Sequence, residues 1–209
     1  PYDRPNITMR DFPMCSDCKR EYTEKGNIRR HAQTIACDAC GPKLYYREYG
    51  RTPEGEVTKE DAFQCAAKAL QEEGIVAVKD IGGFHLACSP YSTKAVEVLR
   101  RIKGREKKPF AVMFADIHSI QEYCEINDAE KEQLLSAPRP IVLLKKKETA
   151  TQKAFALQVC QNSPDIGVML PCNPLQLLLV NELGPLVMTS ANRSGELIIT
   201  QNEKMDAWL

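Results

Sequence analysis

Positively charged residues are concentrated between residues 100 and 109, where six of the ten positions are Lys or Arg. This cluster follows a segment with helical periodicity and precedes the apolar run at 110–115. Cations that are held near rigid elements can neutralise phosphate groups, whereas cations on a solvated face usually do not. We therefore predict that this loop binds a nucleoside triphosphate through Lys103, Arg105 and Lys108.

Two other stretches have residue types that could complete such a pocket. The first, residues 79–85, contains Gly82 and Gly83, which would let backbone N–H groups approach an anion closely. The second contains Ser190 and Asn192, whose short polar side chains suit phosphate oxygens or a ribose. Ligands of open α/β sheets bind beyond the carboxyl ends of strands, where we expect the three stretches to meet.

Each of these features also has an ordinary structural explanation. Basic residues in the last turn of a helix interact favourably with the helix dipole, and Gly-Gly after a strand is a common turn. Neither of the glycine-rich motifs typical of nucleotide phosphate loops is present in the sequence. No Ser-His-Asp, Cys-His or paired-carboxylate arrangement stands out, so the hypothesis depends on the combination of stretches.

Four of the nine cysteines form two Cys-x-x-Cys pairs, Cys15 with Cys18 and Cys37 with Cys40, separated by eighteen residues. Two such turns can supply four thiolates in a tetrahedron, which structural zinc prefers. A redox pair or a disulfide pair is the alternative, and the matched pairs favour zinc. His31 lies between the pairs and is left out of the predicted metal site. The other five cysteines are interpreted as small core residues: Cys65, Cys88, Cys124, Cys160 and Cys172.

The cysteine pairs predict a metal module at 1–50, and a segment that contains Gly and Pro predicts a linker at 51–58. Alternating strand and helix patterns predict an α/β domain at 59–209. A helix begins after Thr58 and ends at Gly74. The remaining predicted helices lie at 92–103, 117–124, 128–136 and 174–183. The predicted strands lie at 75–78, 110–115, 140–144, 166–170 and 185–189. Residues 79–85 are predicted as a turn-rich loop and 145–153 as a basic, polar connection.

Composition narrows the possible functions. The 209 residues carry 28 basic and 28 acidic side chains, so the molecule as a whole is not a binder of polyanions. No apolar run approaches the roughly 20 residues of a membrane span, and the start lacks a signal-peptide pattern. Paired cysteines predict a reducing cytoplasm. The start without Met and the helix-like end suggest a piece of a longer protein.

The motifs together resemble a known family. Lys103-Gly-Arg105 and Ser190-Ala-Asn192 resemble the K-x-R…S-x-N signature of the YrdC/Sua5 family. The stretches 79–88, 103–113, 166–171 and 185–192 are similar to the YrdC-like domain of the HypF carbamoyltransferase family, which acts in [NiFe]-hydrogenase maturation. The cysteine pairs are similar to the second of that family's two zinc-finger motifs. The resemblance implies a zinc-finger module followed by a YrdC/Sua5-like, twisted mixed-sheet α/β domain that is truncated at its C-terminus.

The resemblance also implies an enzyme, with this chain as its central part, which need not be active alone. The YrdC-like domain would join carbamate to AMP and expel pyrophosphate from ATP. Carbamate would come from carbamoyl phosphate in an acylphosphatase-like domain, and a C-terminal domain would pass the carbamoyl group to a HypE-type protein for cyanide ligand synthesis.

The same resemblance implies a role for each candidate site residue. Lys103 and Arg105 would bind ATP with Mg²⁺, while Ser190 and Asn192 would orient phosphate oxygens. The carbamate side would be lined by Lys79, Gly82, Gly83 and His85. The expected catalytic residues are therefore Lys79, His85, Lys103 and Arg105.

Three positions depart from the family pattern. Asp80 stands where Gly is usual, which puts a carboxylate beside the expected anion pocket. Residues 172–177, Cys-Asn-Pro-Leu-Gln-Leu, replace Tyr-Thr-Pro-Leu-His-His, and Ser89 stands where Asp is common. Two other functions stay open: a threonylcarbamoyl-adenylate synthase of the Sua5/YrdC type, which normally lacks a zinc module, and a non-enzymatic RNA-binding zinc protein.

Overall fold

The computed structural model describes residues 2–50, 57–105, 107–147, 154–161 and 163–208. It divides into two compact units, Pro1–Phe63 and Gln64–Leu209. Most of the predicted linker (51–56) and of the predicted basic connection (148–153) lies outside the described residues. No helix in the described part of the chain has both the length and the apolar character that a membrane span requires.

The smaller unit has few buried apolar residues. It contains two 3₁₀ helices, helix α1 and a short antiparallel pair of strands: Arg4–Asn6, Thr8–Asp11, α1 Ser16–Thr23, β1 Tyr45–Tyr46 and β2 Val57–Thr58. Arg4 is buried, and its guanidinium donates hydrogen bonds to the carbonyls of Phe12, Gln33 and Ile35. These bonds fold a polar segment back on itself without a large hydrophobic core.

The larger unit is built on a six-stranded sheet with the order β3-β4-β8-β5-β7-β6. The β5–β7 pair is parallel and the other pairs are antiparallel, so the sheet is mixed, as predicted. The strands are β3 Val76–Asp80, β4 Gly83–Cys88, β5 Ala111–Met113, β6 Val142–Lys145, β7 Asp165–Met169 and β8 Leu186–Ser190. The other helices of the chain are α2 Lys59–Gln71, α3 Thr93–Lys103, α4 Ile117–Gln121, α5 Asp128–Leu135, α6 Leu157–Cys160, α7 Pro174–Leu183 and α8 Asn202–Trp208.

Helix α3 carries the basic cluster because its other face is held by the core. Ala95, Val96 and Leu99 are buried at helical spacing. Ser92 caps the amino end by accepting a hydrogen bond from the Ala95 N–H at 3.1 Å. Gly104 ends the helix in the left-handed conformation, with φ of 58°. The basic residues that follow are thus attached to a rigid element, as the sequence predicted.

Two predictions about local structure and burial are wrong. Residues 79–85 are not a loop, because β3 continues to Asp80 and β4 begins at Gly83, with a tight turn between them. Gly82 and Gly83 supply the positive φ angles of this turn, and the apolar residues after them pair with β8. Cys172 is exposed, whereas Cys88, Cys124 and Cys160 are buried. Cys172 precedes α7, and Pro174, the first residue of that helix, is exposed as well.

Candidate functional site

The three predicted stretches meet at one edge of the sheet. The β3–β4 turn and the end of β8 lie side by side, since His85 pairs directly with Ser190. Strand β5 is antiparallel to β8, so the loop that precedes Ala111 reaches the same edge. The expectation that all three stretches follow carboxyl ends holds for β3 and β8. It is wrong for the basic loop, which leads into the amino end of β5 because the sheet is mixed.

Lys103 joins the two signature motifs by direct contact. The residue is 2% exposed, and its Nζ donates to the Ser190 carbonyl, to the Asn192 carbonyl at 3.0 Å and to Asn192 Oδ1 at 3.0 Å. Ser190 Oγ also donates to Asn192 Oδ1, at 2.6 Å. An ammonium group has three donors, and here all three find acceptors on the 190–192 turn.

Burial weakens the hold of Lys103 on its proton. Desolvation first, and the charge of Arg105 second, lower the pKa of Lys103 from its ordinary 10.5 to about 8. Between these two values the unfolded chain binds the proton more tightly than the folded chain does. The contribution of Lys103 to folding stability therefore rises with pH across that window, while its positive charge in the site is lost.

Arg105 and Lys108 shape the basic loop. Arg105 donates from Nε to the Lys108 carbonyl at 3.0 Å and from Nη2 to the Pro109 carbonyl, and its guanidinium lies 5.0 Å from the centre of the Phe110 ring. Two of its five N–H groups are used in this way. Arg100, which sequence reasoning did not single out, donates to the Arg105 and Lys108 carbonyls and closes the loop from the helix side.

The remaining predicted residues lie around the β3–β4 turn. Lys79 is exposed, and its Nζ donates to Asn202 Oδ1 at 2.7 Å and lies 5.4 Å from the centre of the Phe84 ring. Gly83 lies against the segment that follows the 190–192 turn, where the Phe84 N–H donates to the Ile199 carbonyl at 2.7 Å. The contacts thus group Lys103 with Ser190, Asn192 and, through strand pairing, His85. The hydrogen bonds of the described residues do not join the side chains of Lys79 and Lys108 to that group.

Two of the positions that depart from the family pattern contact each other. Asp80 accepts hydrogen bonds from the side-chain amides of Asn173 and Gln176, at the start of α7. Its side chain is 4% exposed. The carboxylate expected beside the anion pocket is therefore buried and hydrogen-bonded to the start of a helix.

Substitution of Gly83 tests how closely the β3–β4 turn packs against residues 198–199. A Cβ at Gly83 would lie 2.7 Å from the Ile199 carbonyl oxygen and 2.9 Å from Ile198 Cγ1, whereas a Cβ at Gly82 would have no atom within 4 Å. Both residues have positive φ, so an alanine at either position would carry about 1 kcal/mol of backbone strain. We expect Gly83→Ala to lower the free energy of unfolding by about 3 kcal/mol and Gly82→Ala by about 1 kcal/mol.

Denaturant titrations followed by Trp208 fluorescence would measure this difference. Trp208 is the single tryptophan of the chain and packs partly buried against the core of the larger unit. Equal losses of stability in the two variants would contradict the close approach of Gly83 to the 198–199 segment.

The four paired cysteines form one cluster in the smaller unit. Their sulphur atoms all lie within 4.8 Å of one another, with Cys37 Sγ 3.7 Å from Cys15 Sγ and 3.8 Å from Cys40 Sγ. Tetrahedral zinc with Zn–S bonds of about 2.3 Å requires sulphurs about 3.8 Å apart. His31 instead stacks on Tyr22, with ring centres 5.4 Å apart. The donor set therefore fits one zinc ion held by four thiolates.

Local hydrogen bonds preform the second cysteine turn. The Cys37 carbonyl accepts from the N–H groups of Cys40 at 3.1 Å and Gly41 at 2.7 Å. Backbone N–H groups of Cys15 and Cys37 lower the pKa of Cys40 to about 6, whereas burial and the neighbouring thiols raise the pKa of Cys18 to about 12. A divalent cation would offset the negative charge that four thiolates bring together.

Two cavities in the larger unit lie away from the predicted site. One of about 450 Å³ is lined by residues that include Leu135, Arg139 and Leu177. One of about 210 Å³ is lined by residues that include Lys146 and Phe155. None of the predicted site residues lines either cavity, so the candidate site rests on the contacts at the sheet edge.

Comparison with known families matches both units. Residues 68–209 match the Sua5/YciO/YrdC family model, which is described as telomere recombination, and residues 14–46 match the HypF finger. The carbamoyltransferase HypF of Rhodobacter capsulatus is 38% identical over 205 residues, which cover 98% of this chain and 26% of that protein. The chain thus spans about a quarter of the length of this relative.

Two solved structures of relatives are similar as well. A crystal structure of full-length HypF in the phosphate- and nucleotide-bound form is 44% identical, with a TM-score of 0.82, and the match covers 97% of this chain and 26% of that one. A crystal structure of T. kodakarensis HypF is 38% identical, with a TM-score of 0.84, over 99% of this chain and 26% of that one.

Proposed function

Because the chain belongs to the Sua5/YciO/YrdC family and is a homologue of carbamoyltransferase HypF that includes the HypF finger, we propose that it forms carbamoyl adenylate from carbamate and ATP. The observation that supports this most directly is the contact of the Lys103 ammonium with Ser190 and Asn192. It places a cation, a hydroxyl and an amide within one cluster. A nucleotide-bound homologue agrees with an ATP site.

The proposed step is a displacement at phosphorus. A carbamate oxygen attacks the α-phosphorus of ATP, a new P–O bond forms, the bond to the β-phosphate oxygen breaks, and pyrophosphate leaves with the electron pair. Both reactants are anions, so catalysis depends on positioning and on neutralisation of charge. A site with a buried ammonium and several fixed dipoles meets both needs.

Each side chain has a proposed part in this step. The N–H groups of Arg105 that the loop does not use would contact phosphate oxygens, with Lys108 nearby on the loop surface. The donors of Lys103 are already used on the 190–192 turn, so Lys103 would hold that turn in place and contribute its positive charge to the site. Ser190 and Asn192 would orient the nucleotide. The carbamate would lie toward the β3–β4 turn, near Lys79, Gly82, Gly83 and His85. Mg²⁺ bound with ATP would neutralise part of the triphosphate charge.

The domain organisation and the wider pathway also belong to the proposal. We place the metal module at 1–50 and the nucleotide-binding domain at 59–209, and we propose zinc as the structural ion. Carbamate would be made from carbamoyl phosphate in another part of the full-length enzyme, and the carbamoyl group would pass to a HypE-type protein in the cytoplasm.

A product assay tests the proposed reaction. The chain is incubated with Mg²⁺, ATP and ammonium bicarbonate, whose solutions contain carbamate, and pyrophosphate and carbamoyl adenylate are measured by enzymatic coupling and mass spectrometry. We expect both products, and neither when ammonia is omitted. Products formed with threonine and bicarbonate instead would favour the threonylcarbamoyl-adenylate synthase. Salt-sensitive RNA binding without ATP binding would favour the RNA-binding alternative.

A further inference from the structure

Asp80 is a buried carboxylate with a defined set of donors. Its Oδ1 accepts from the Ile81 N–H at 2.6 Å and from Asn173 Nδ2, and its Oδ2 accepts from Gln176 Nε2. The side chain is 4% exposed, and Gln176 is 3% exposed. A carboxylate can be buried when hydrogen bonds replace water, and the amino end of α7 adds a favourable dipole.

If either amide side chain turned away from this carboxylate, it would also lose a second hydrogen bond to the backbone. Asn173 Oδ1 caps α7 by accepting from the Gln176 N–H at 3.0 Å, which leaves Nδ2 for Asp80. Gln176 Oε1 accepts from the Cys172 N–H at 2.9 Å, which leaves Nε2 for Asp80. Oδ1 thus has two donors and Oδ2 has one. Because a carboxylate oxygen can accept two hydrogen bonds, Oδ2 can accept one more.

His85 offers the donor that Oδ2 lacks. Its Nδ1 is buried and has no hydrogen-bond partner among the described residues, and it lies 3.9 Å from Asp80 Oδ2. Asp80 and His85 share one face of the sheet, because His85 pairs with Val78, two residues before Asp80. A ring shift of about 1 Å would bring Nδ1 to hydrogen-bond distance.

We propose that Asp80 is a positioning residue for His85. Its carboxylate, held by α7, accepts a hydrogen bond from Nδ1–H and so sets the ring tautomer, which leaves Nε2 as the atom available to a ligand beside Ser190. For its catalytic consequence this rests on the proposed function: a neutral Nε2 accepts an N–H of carbamate. The tautomer itself does not depend on the reaction.

Imidazole nitrogen NMR of the ¹⁵N-labelled chain tests the tautomer directly. The chain has three histidines, so the spectrum is simple, and the His85→Gln variant assigns the signals of His85. At a pH where the ring is neutral, we expect wild-type His85 to be protonated at Nδ1. Protonation at Nε2 in the wild-type protein would overturn the proposal without any need for a variant that folds.

Asp80→Asn is expected to reverse the tautomer. The amide oxygen of the new side chain should stay with the two donors at the Oδ1 position. Its NH₂ group would then replace Oδ2, lose the hydrogen bond from Gln176 Nε2 and donate to Nδ1 of His85. Protonation would then move to Nε2. The matched control is Asp165→Asn, which removes an exposed carboxylate at the start of β7 and should leave the His85 signals unchanged. A folded Asp80→Asn variant with the wild-type tautomer would reject the role.

The product assay separates this inference from the proposed function. We expect Asp80→Asn to slow carbamoyl adenylate formation by about tenfold or more, with the affinity for ATP within about twofold of wild type. If wild-type protein forms no adenylate while its tautomer is as expected, the proposed function fails and the positioning stands. If adenylate forms at the wild-type rate in the variant, Asp80 has no positioning role in the reaction.

Discussion

Replacement of Lys103 by methionine is expected to weaken ATP binding strongly and to destabilise the larger unit. Methionine keeps much of the buried stem but has no donors, so the Ser190 and Asn192 carbonyls and Asn192 Oδ1 lose the ammonium that they share. Loss of these charge-assisted bonds should cost about 2 kcal/mol of folding free energy. Loss of the cation should weaken ATP binding by about 100-fold, the effect of about 3 kcal/mol.

Calorimetric titration with ATP and unfolding followed by Trp208 fluorescence would measure the two effects separately. Lys94→Met is the matched control, because Lys94 is an exposed lysine at the opposite end of the same helix. It should bind ATP as the wild type does. ATP affinity at the wild-type level in a folded Lys103→Met variant would reject the role proposed for the ammonium.

The pH dependence of the same binding gives an internal check. With the pKa of Lys103 near 8, ATP affinity should fall above that pH by up to about tenfold per pH unit. The contribution of Lys103 to stability rises across the same range. A fall in ATP affinity together with a rise in folding stability as the pH increases would identify a buried ammonium. Exposed lysines keep their protons up to about pH 10 and would show neither change in this range.

Removal of one ligand of the cysteine cluster is expected to unfold the smaller unit and leave the larger one folded. Cys18, Ile35 and Ala62 are the buried apolar residues of this unit among those that the structure describes. Such a core supplies little free energy, whereas binding of a structural zinc contributes about 10 kcal/mol or more. Cys40→Ser, or treatment of the wild type with a chelator, should therefore unfold residues 4–46.

Amide NMR spectra and metal content would show this outcome. In Cys40→Ser we expect loss of the bound metal and collapse of the signals from the smaller unit, while Trp208 still reports a folded larger unit. Cys172→Ser is the control, because Cys172 is an exposed cysteine outside the cluster. A Cys40→Ser protein with dispersed signals and one equivalent of zinc would disprove a four-thiolate structural site.

Helix positions followed from local sequence signals. The prediction of α7 at 174–183 matches Pro174–Leu183, because an Asn cap, a proline in the first turn and a following glycine mark both ends. The α3 prediction succeeded for the same kind of reason, since Ser92 and Gly104 mark its ends. Strand β4 was missed because Gly82-Gly83 indicates a loop, and only pairing with β3 and β8 makes the following residues a strand.

The sequence by itself determined which residue types could do chemistry: a basic loop after a helix, a Ser-x-Asn turn and four spaced cysteines. Only the tertiary structure decided what those side chains contact. Lys103 meets Ser190, 87 positions away, and Asp80 meets Gln176, 96 positions away. Strand order and helix docking set such contacts, and burial then decides which charges lose water and which donors remain for a ligand. Local patterns contain none of that information.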